Sequence, residues 1–203
     1  MKTIPFYLLI RVLSFCVACN NSSSATHKDE NPGNTAQQKH EETDNKFDDQ
    51  EIVAQIAKVK HEKVYTAEEM EAFFPEQLAG IDITDILSIP NNQTSVGKYT
   101  LNHNKKIEVH LSDGGGEHGE TIVRHFMGVS KQTYKETNGN NYIRPVTEGG
   151  IKASESYRDY NQEYEMAFFL PERFGIRFRS NGLDRDEAWE AIHVFISHLK
   201  QNQ

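Results

Sequence analysis

An α+β fold is what this sequence predicts, an antiparallel sheet with flanking helices and a C-terminal amphipathic helix packed on it. Three stretches carry the prediction. Ile107, Val109 and Leu111 alternate with Glu108, His110 and Ser112, the period-two pattern of a half-buried antiparallel strand. Stretches 163–170 and 173–179 flank Pro171-Glu172 as a hairpin, with Phe174, Ile176 and Phe178 towards a core and Arg177 and Arg179 towards water. In the last stretch Asp184 is a natural N-cap with Glu187 three residues on. Ala188, Ile192, Phe195, Ile196 and Leu199 then fall on one side of a helix with Trp189 at its edge, and His198 and Lys200 suit its C-terminal end.

The remaining elements follow in chain order. Residues 51–63 read as a helix with Ile52, Ile56 and Val59 near one face. Thr66 stands three residues before Glu69, a capping box opening a short helix that carries Met70, Phe73 and Phe74 and stops at Pro75. Residues 75–80 form a turn plugged by Leu78. Ile81, Ile83, Ile86, Leu87 and Ile89 read as strand and end at Pro90-Asn91-Asn92. Residues 96–101 and 106–112 flank Asn102-His103-Asn104, a hairpin turn. Ile122, Val123, Phe126 and Met127 make a helical stripe in 120–129. Stretches 132–135, 141–146 and 151–158 read as further strands between Gly and Asn turns, and no internal repeat is evident.

The N-terminus carries the clearest functional signal. Lys2, an apolar run and Cys16-Val17-Ala18-Cys19 describe a secretory signal over 1–18 with a small residue before the cut. A cysteine directly after that cut resembles the lipobox of bacterial lipoproteins, whose thiol is acylated. Arg11 interrupts the apolar run, which argues against a spanning helix of about 20 residues. Cleavage before Cys19 removes Cys16, so the remaining thiol is the acylated one and no disulfide is expected. Several acyl chains give stable anchoring where a single chain gives only marginal binding. Asn20, where an aspartate would favour inner-membrane retention, points to the outer membrane as the more fitting site in the cell envelope.

Residues 19–50 then read as the lipidated cysteine and a disordered polar tether, since Phe47 is their only bulky apolar side chain. Some 30 flexible residues reach on the order of 30 Å. Residues 51–203 suffice for one α+β domain that buries its own core without metals or disulfides. The formal charge is −8, and loss of Lys2 and Arg11 takes it to −10. That sign excludes a basic nucleic-acid surface and electrostatic adhesion to anionic lipid, leaving acyl chains on Cys19 as the membrane contact.

Several motifs together carry a resemblance. Pro75-Glu76-Gln77-Leu78-Ala79-Gly80, the strand entering Ser112-Asp113-Gly114-Gly115, the 163–179 hairpin and the terminal helix resemble a widespread group of small secreted or lipid-anchored bacterial proteins. The resemblance covers about residues 70–200 and implies a PsbP-like antiparallel sheet with flanking helices. It implies no activity and no catalytic residues, only an analogy to binding and assembly modules.

Candidate chemistry is sparse. Residues 114–119 match G-x-G-x-x-G, but Asp113, Glu117 and Glu120 surround the loop with negative charge and the flanking strands read as antiparallel, so no cofactor is expected. Asp113, Glu117, His118 and Glu120 are weak metal candidates, at spacings that fit neither an EF-hand nor a His-Glu-x-x-His helix. His125, His193 and His198 border helix core faces, and Ser154-Glu155-Ser156 is a strand with alternating faces. No G-x-S-x-G elbow occurs, so an enzyme is not expected. Tyr157, Tyr160 and Tyr164 with Arg158, Arg177 and Arg179 could line one outer sheet face, and Tyr and Arg are enriched at binding hot spots. The expected function is a non-enzymatic binding or assembly module contacting another envelope protein. The alternative is a small-ligand or metal-binding module using the 113–120 loop.

Overall fold

A computed structural model describes residues 46–203. The expected signal, the expected lipobox at Cys19 and residues 19–45 of the expected tether lie outside these residues, while 46–50 form the start of a helix. Nine strands form one fully antiparallel sheet in the order β1-β2-β3-β4-β9-β8-β7-β6-β5. They are β1 (Gln77–Leu78), β2 (Ile81–Ile89), β3 (Thr94–Thr100), β4 (Lys106–Asp113), β5 (Glu136–Asn138), β6 (Asn141–Glu148), β7 (Ile151–Arg158), β8 (Glu163–Leu170) and β9 (Phe174–Asn181). The helices are α1 (Lys46–Val59), α2 (Ala67–Glu71), α3 (Glu120–Lys131) and α4 (Arg185–Gln201). The sheet dominates and the helices flank it. Among the described residues no helix is long and apolar enough to cross a membrane.

Both predicted caps form. Thr66 accepts from the Glu69 amide while the Glu69 carboxylate accepts from the Thr66 amide, and Asp184 and Glu187 do the same at α4. Each box satisfies two amides that a helix start leaves without intrahelical partners. One strand expectation fails. Residues 132–135 are irregular, and the short edge strand comes later, at Glu136–Asn138. Gln132 instead turns its side chain to the Ser154 hydroxyl.

Strand alternation sorts the sheet into two faces. On one face Val109 pairs with Phe178 and Leu111 with Ile176, with Met166 and Phe168 next to them on β8. This face carries the main core, closed by α2 and by the Ala188, Ile192, Phe195 and Leu199 stripe of α4. Trp189, expected at the stripe's edge, is buried as well. The opposite face carries Phe169, Ala167 and Gly175, covered by α3 through Val123, Phe126 and Met127, with α1 packed outside through Ile52 and Val59. Gly175 has no alternative residue there, because a Cβ would lie 2.0 Å from the Phe126 ring.

The pairings also reveal an internal repeat. In each half a strand ends in a 3₁₀ turn, a left-handed glutamine follows, and two antiparallel strands lead into a helix. Gln93 and Gln162, 69 positions apart, both have φ 48° and occupy the same place in the register. At the same spacing stand Asn92/Asn161, Leu101/Leu170, Ile107/Ile176, Phe126/Phe195 and Lys131/Lys200. The hairpin turns Ala79-Gly80 and Gly149-Gly150 correspond too, both left-handed as a two-residue hairpin requires. They are offset by one residue more, which the β2 irregularity between Ile83 and Asp85 absorbs. The helices depart from the repeat, for α3 and α4 cover opposite faces.

Candidate functional site

The glycine loop is a structural joint. Asp113 ends β4 fully buried, and its carboxylate receives four donors. Arg173 Nε and Nη2 lie at 2.5 and 2.6 Å, the Tyr65 amide at 2.9 Å and the Gly115 amide at 2.9 Å. Arg173 also reaches Glu62 and the Lys63 carbonyl and stacks over the Tyr65 ring, 4.5 Å from its centroid. Gln93, fixed in its left-handed conformation, donates to the carbonyls of Asp113 and Gly115. The loop thus ties the segment between α1 and α2 to the middle of the sheet.

That arrangement leaves little for the metal candidates. Asp113 is committed to Arg173, Glu120 pairs with Arg124 at 2.8 Å, and Glu117 and His118 are exposed. Among the described residues no three His, Cys, Asp or Glu side chains converge as a metal-binding set.

A second buried carboxylate sits at the other end of the sheet. Glu155 is fully buried on the α4 face of β7. Its Oε1 accepts from the Tyr142 hydroxyl at 2.9 Å and from Arg144, and its Oε2 accepts from Arg185 and from Trp189 Nε1 at 2.8 Å. Burial alone would raise this carboxyl, but the bonds from Trp189, Arg185, Arg144 and Tyr142 outweigh it and hold the group below its ordinary range. Burial and the Glu155 bond push the Tyr142 phenol upwards. The cluster clasps the first turns of α4 to β6 and β7. Only its strand alternation was legible in the sequence, since its three parts, Tyr142 with Arg144, Glu155, and Arg185 with Trp189, come from separate stretches of the chain.

The expected Tyr/Arg surface does not form on one face. Tyr157 pairs with Tyr142 and Tyr164 on the α4 face, with ring centroids 5.9 and 4.6 Å apart. Arg158, Arg177 and Arg179 point to the opposite face, because strand neighbours alternate. Tyr160 projects from the 3₁₀ turn and is 84 % exposed. The arginines are also neutralised. Asp85, Lys98, Glu108, Arg179 and Glu165 follow one another across five strands with alternating sign. Within that row Lys98 bridges Asp85 at 3.1 Å and Arg179 bridges Glu165 at 3.0 Å. Arg177 lies 3.6 Å from Glu165, and Arg158 pairs with Glu163.

What the helices leave uncovered lies elsewhere. α3 shields β7 to β9 on this face, while among the described residues no helix packs over the β2 to β4 half. Leu87 is 50 % exposed there and Ile89 36 %, beside buried Val96. Neither is needed by the core, and the sequence had marked both only as strand residues. Asp82 and Asp85 of the same strand stand beside the patch with exposed negative charge. A separate groove of about 500 Å³ opens at the other end, floored by Met127, Ile151 and Phe169 and rimmed by Lys152, Lys200 and Glu172.

No protein-family model matches this chain, and searches of the curated proteins and of the solved structures return no significant match.

Proposed function

We propose that this chain is a bacterial lipoprotein, acylated at Cys19 and held at the cell envelope, with the outer membrane favoured by Asn20. Its folded domain, in the α+β arrangement of the PsbP-like group it resembles, is a non-enzymatic binding module for another envelope protein. One observation carries the reading: Leu87 and Ile89 stand exposed on the sheet half that no helix of the described chain covers. Apolar side chains on an open sheet face, rimmed by charge, are what a polypeptide contact uses. A second copy fits less well, because it would bring the acidic side chains and a formal charge of −10, once Lys2 and Arg11 are lost, against their like.

The test is made in cells. A photo-crosslinking amino acid replaces Leu87, and a palmitate analogue labels wild type and Cys19→Ser. The expected result is label on wild type only and a discrete crosslinked protein at position 87 that Cys19→Ser loses. Label on neither chain removes the anchor, and no crosslink at Leu87 removes the binding surface.

A further inference from the structure

The internal repeat shows what is missing beside β2. In the second half β7 is paired along its length by β6, from Tyr142 opposite Tyr157 to Glu148 opposite Ile151. Its counterpart β2 is paired on that side only at Ile81 and Asp82, by the two residues of β1. Beyond them the Ile83 amide donates to the Glu76 carbonyl at 2.8 Å, and no described strand follows along 84–89. The chain that would have continued along β2 turns away into α2 on the other face.

We propose that this vacant edge receives an extended segment of a partner polypeptide, added antiparallel to β2 in the place β6 holds beside β7. The inference rests on the protein-binding reading above and names its mode. Main-chain hydrogen bonds along a free edge supply affinity, and alternate side chains supply specificity. The repeat also gives the register. Ser154 and Ser156 of β7 correspond to Asp85 and Leu87 of β2, and β6 places Pro145 and Ile143 opposite those serines. The incoming strand therefore sets an apolar residue against Leu87 and, two residues away on the same face, a basic residue against Asp85. Charge supports that partner over a second copy. Asp85 shares one lysine, Lys98, and Asp82 and Glu71 add further negative charge along the edge. Charged residues and a strand irregularity, here between Ile83 and Asp85, are also how edges resist self-pairing.

The probe is a peptide of the β6 sequence, residues 141–148, carrying Pro145→Lys, compared with the same peptide carrying Pro145→Glu. Binding to the full chain in detergent is followed by fluorescence anisotropy, and hydrogen exchange locates it. The lysine peptide should slow exchange at 84–89 and bind about fivefold to tenfold more tightly than the glutamate peptide, with Asp85→Lys reversing that order. No slowing at 84–89 at saturation, or a preference indifferent to Asp85→Lys, overturns the proposal. So does free chain whose 84–89 amides already exchange as slowly as those of 151–158. The slot would then be filled by residues 1–45, or by a second copy if the protection fades on dilution. A crosslink at Leu87 in cells alongside a failed peptide test would retain the protein-binding reading and remove only the added strand.

Discussion

Replacing Glu155 by glutamine tests the buried cluster with almost no change of shape. Glu155 receives Tyr142 and Arg144 at one oxygen and Trp189 and Arg185 at the other. Every partner is a donor. An amide in either orientation puts two hydrogens against donors on one side and removes the charge that both arginines face. Breaking a buried pair by removing one partner costs about 3–5 kcal/mol. Arg144 and Arg185 keep 37 % and 30 % of their side-chain surface exposed and can rehydrate, so the lower end applies. With a urea slope of about 2 kcal/mol/M, a loss of about 3 kcal/mol lowers the unfolding midpoint by about 1.5 M. The pH dependence has a fixed sign. The folded carboxyl titrates below its ordinary value, so its contribution is fully present above the unfolded pKa of about 4.3 and is lost as pH falls through the folded one. The gap between wild type and Glu155→Gln should be widest near neutrality and close under acid. A midpoint shift below about 0.3 M at pH 7 would refute the assignment, as would a gap unchanged between neutral and acid conditions.

Three other substitutions have defined outcomes. Arg173→Met leaves Asp113 buried with its two amide donors and no counter-ion, and should cost about 3–5 kcal/mol. It should also open the 60–66 segment to proteolysis, and thermal unfolding within about 2 °C of wild type would contradict this. Gly119→Ala would place a Cβ 1.9 Å from the Gly114 carbonyl oxygen, so the strand-to-helix joint must move and stability should fall by about 1–3 kcal/mol. Gly128→Ala meets nothing within 4 Å on an exposed helical turn and should gain about 0.5–1 kcal/mol. Denaturant midpoints that move the same way for both would sink the steric argument.

The local elements of this fold were legible in the residues because their causes act within a few positions. The Thr66 and Asp184 caps each close over three residues, and the Ile107–Leu111 alternation is a property of one strand. The repeat was legible in principle, through Asn-Gln, Ile, Phe and Lys recurring at one spacing. Those matches are sparse, and only the strand registers give them meaning.

Tertiary structure decided everything that joins distant segments. Asp113 and Arg173 are 60 residues apart, and nothing near either one announces the other. In the sequence Glu155 is only the middle of a strand with alternating faces, and α4 makes it a buried centre by folding over it with Arg185 and Trp189. The Tyr/Arg surface failed for the same reason, since Tyr157 and Arg158 are neighbours in sequence yet lie on opposite faces of a sheet. Alternation sets which residues share a face, but sheet order and helix placement set which face is covered. For Leu87 and Ile89 that difference separates a core residue from an exposed one, and only the folded chain makes it.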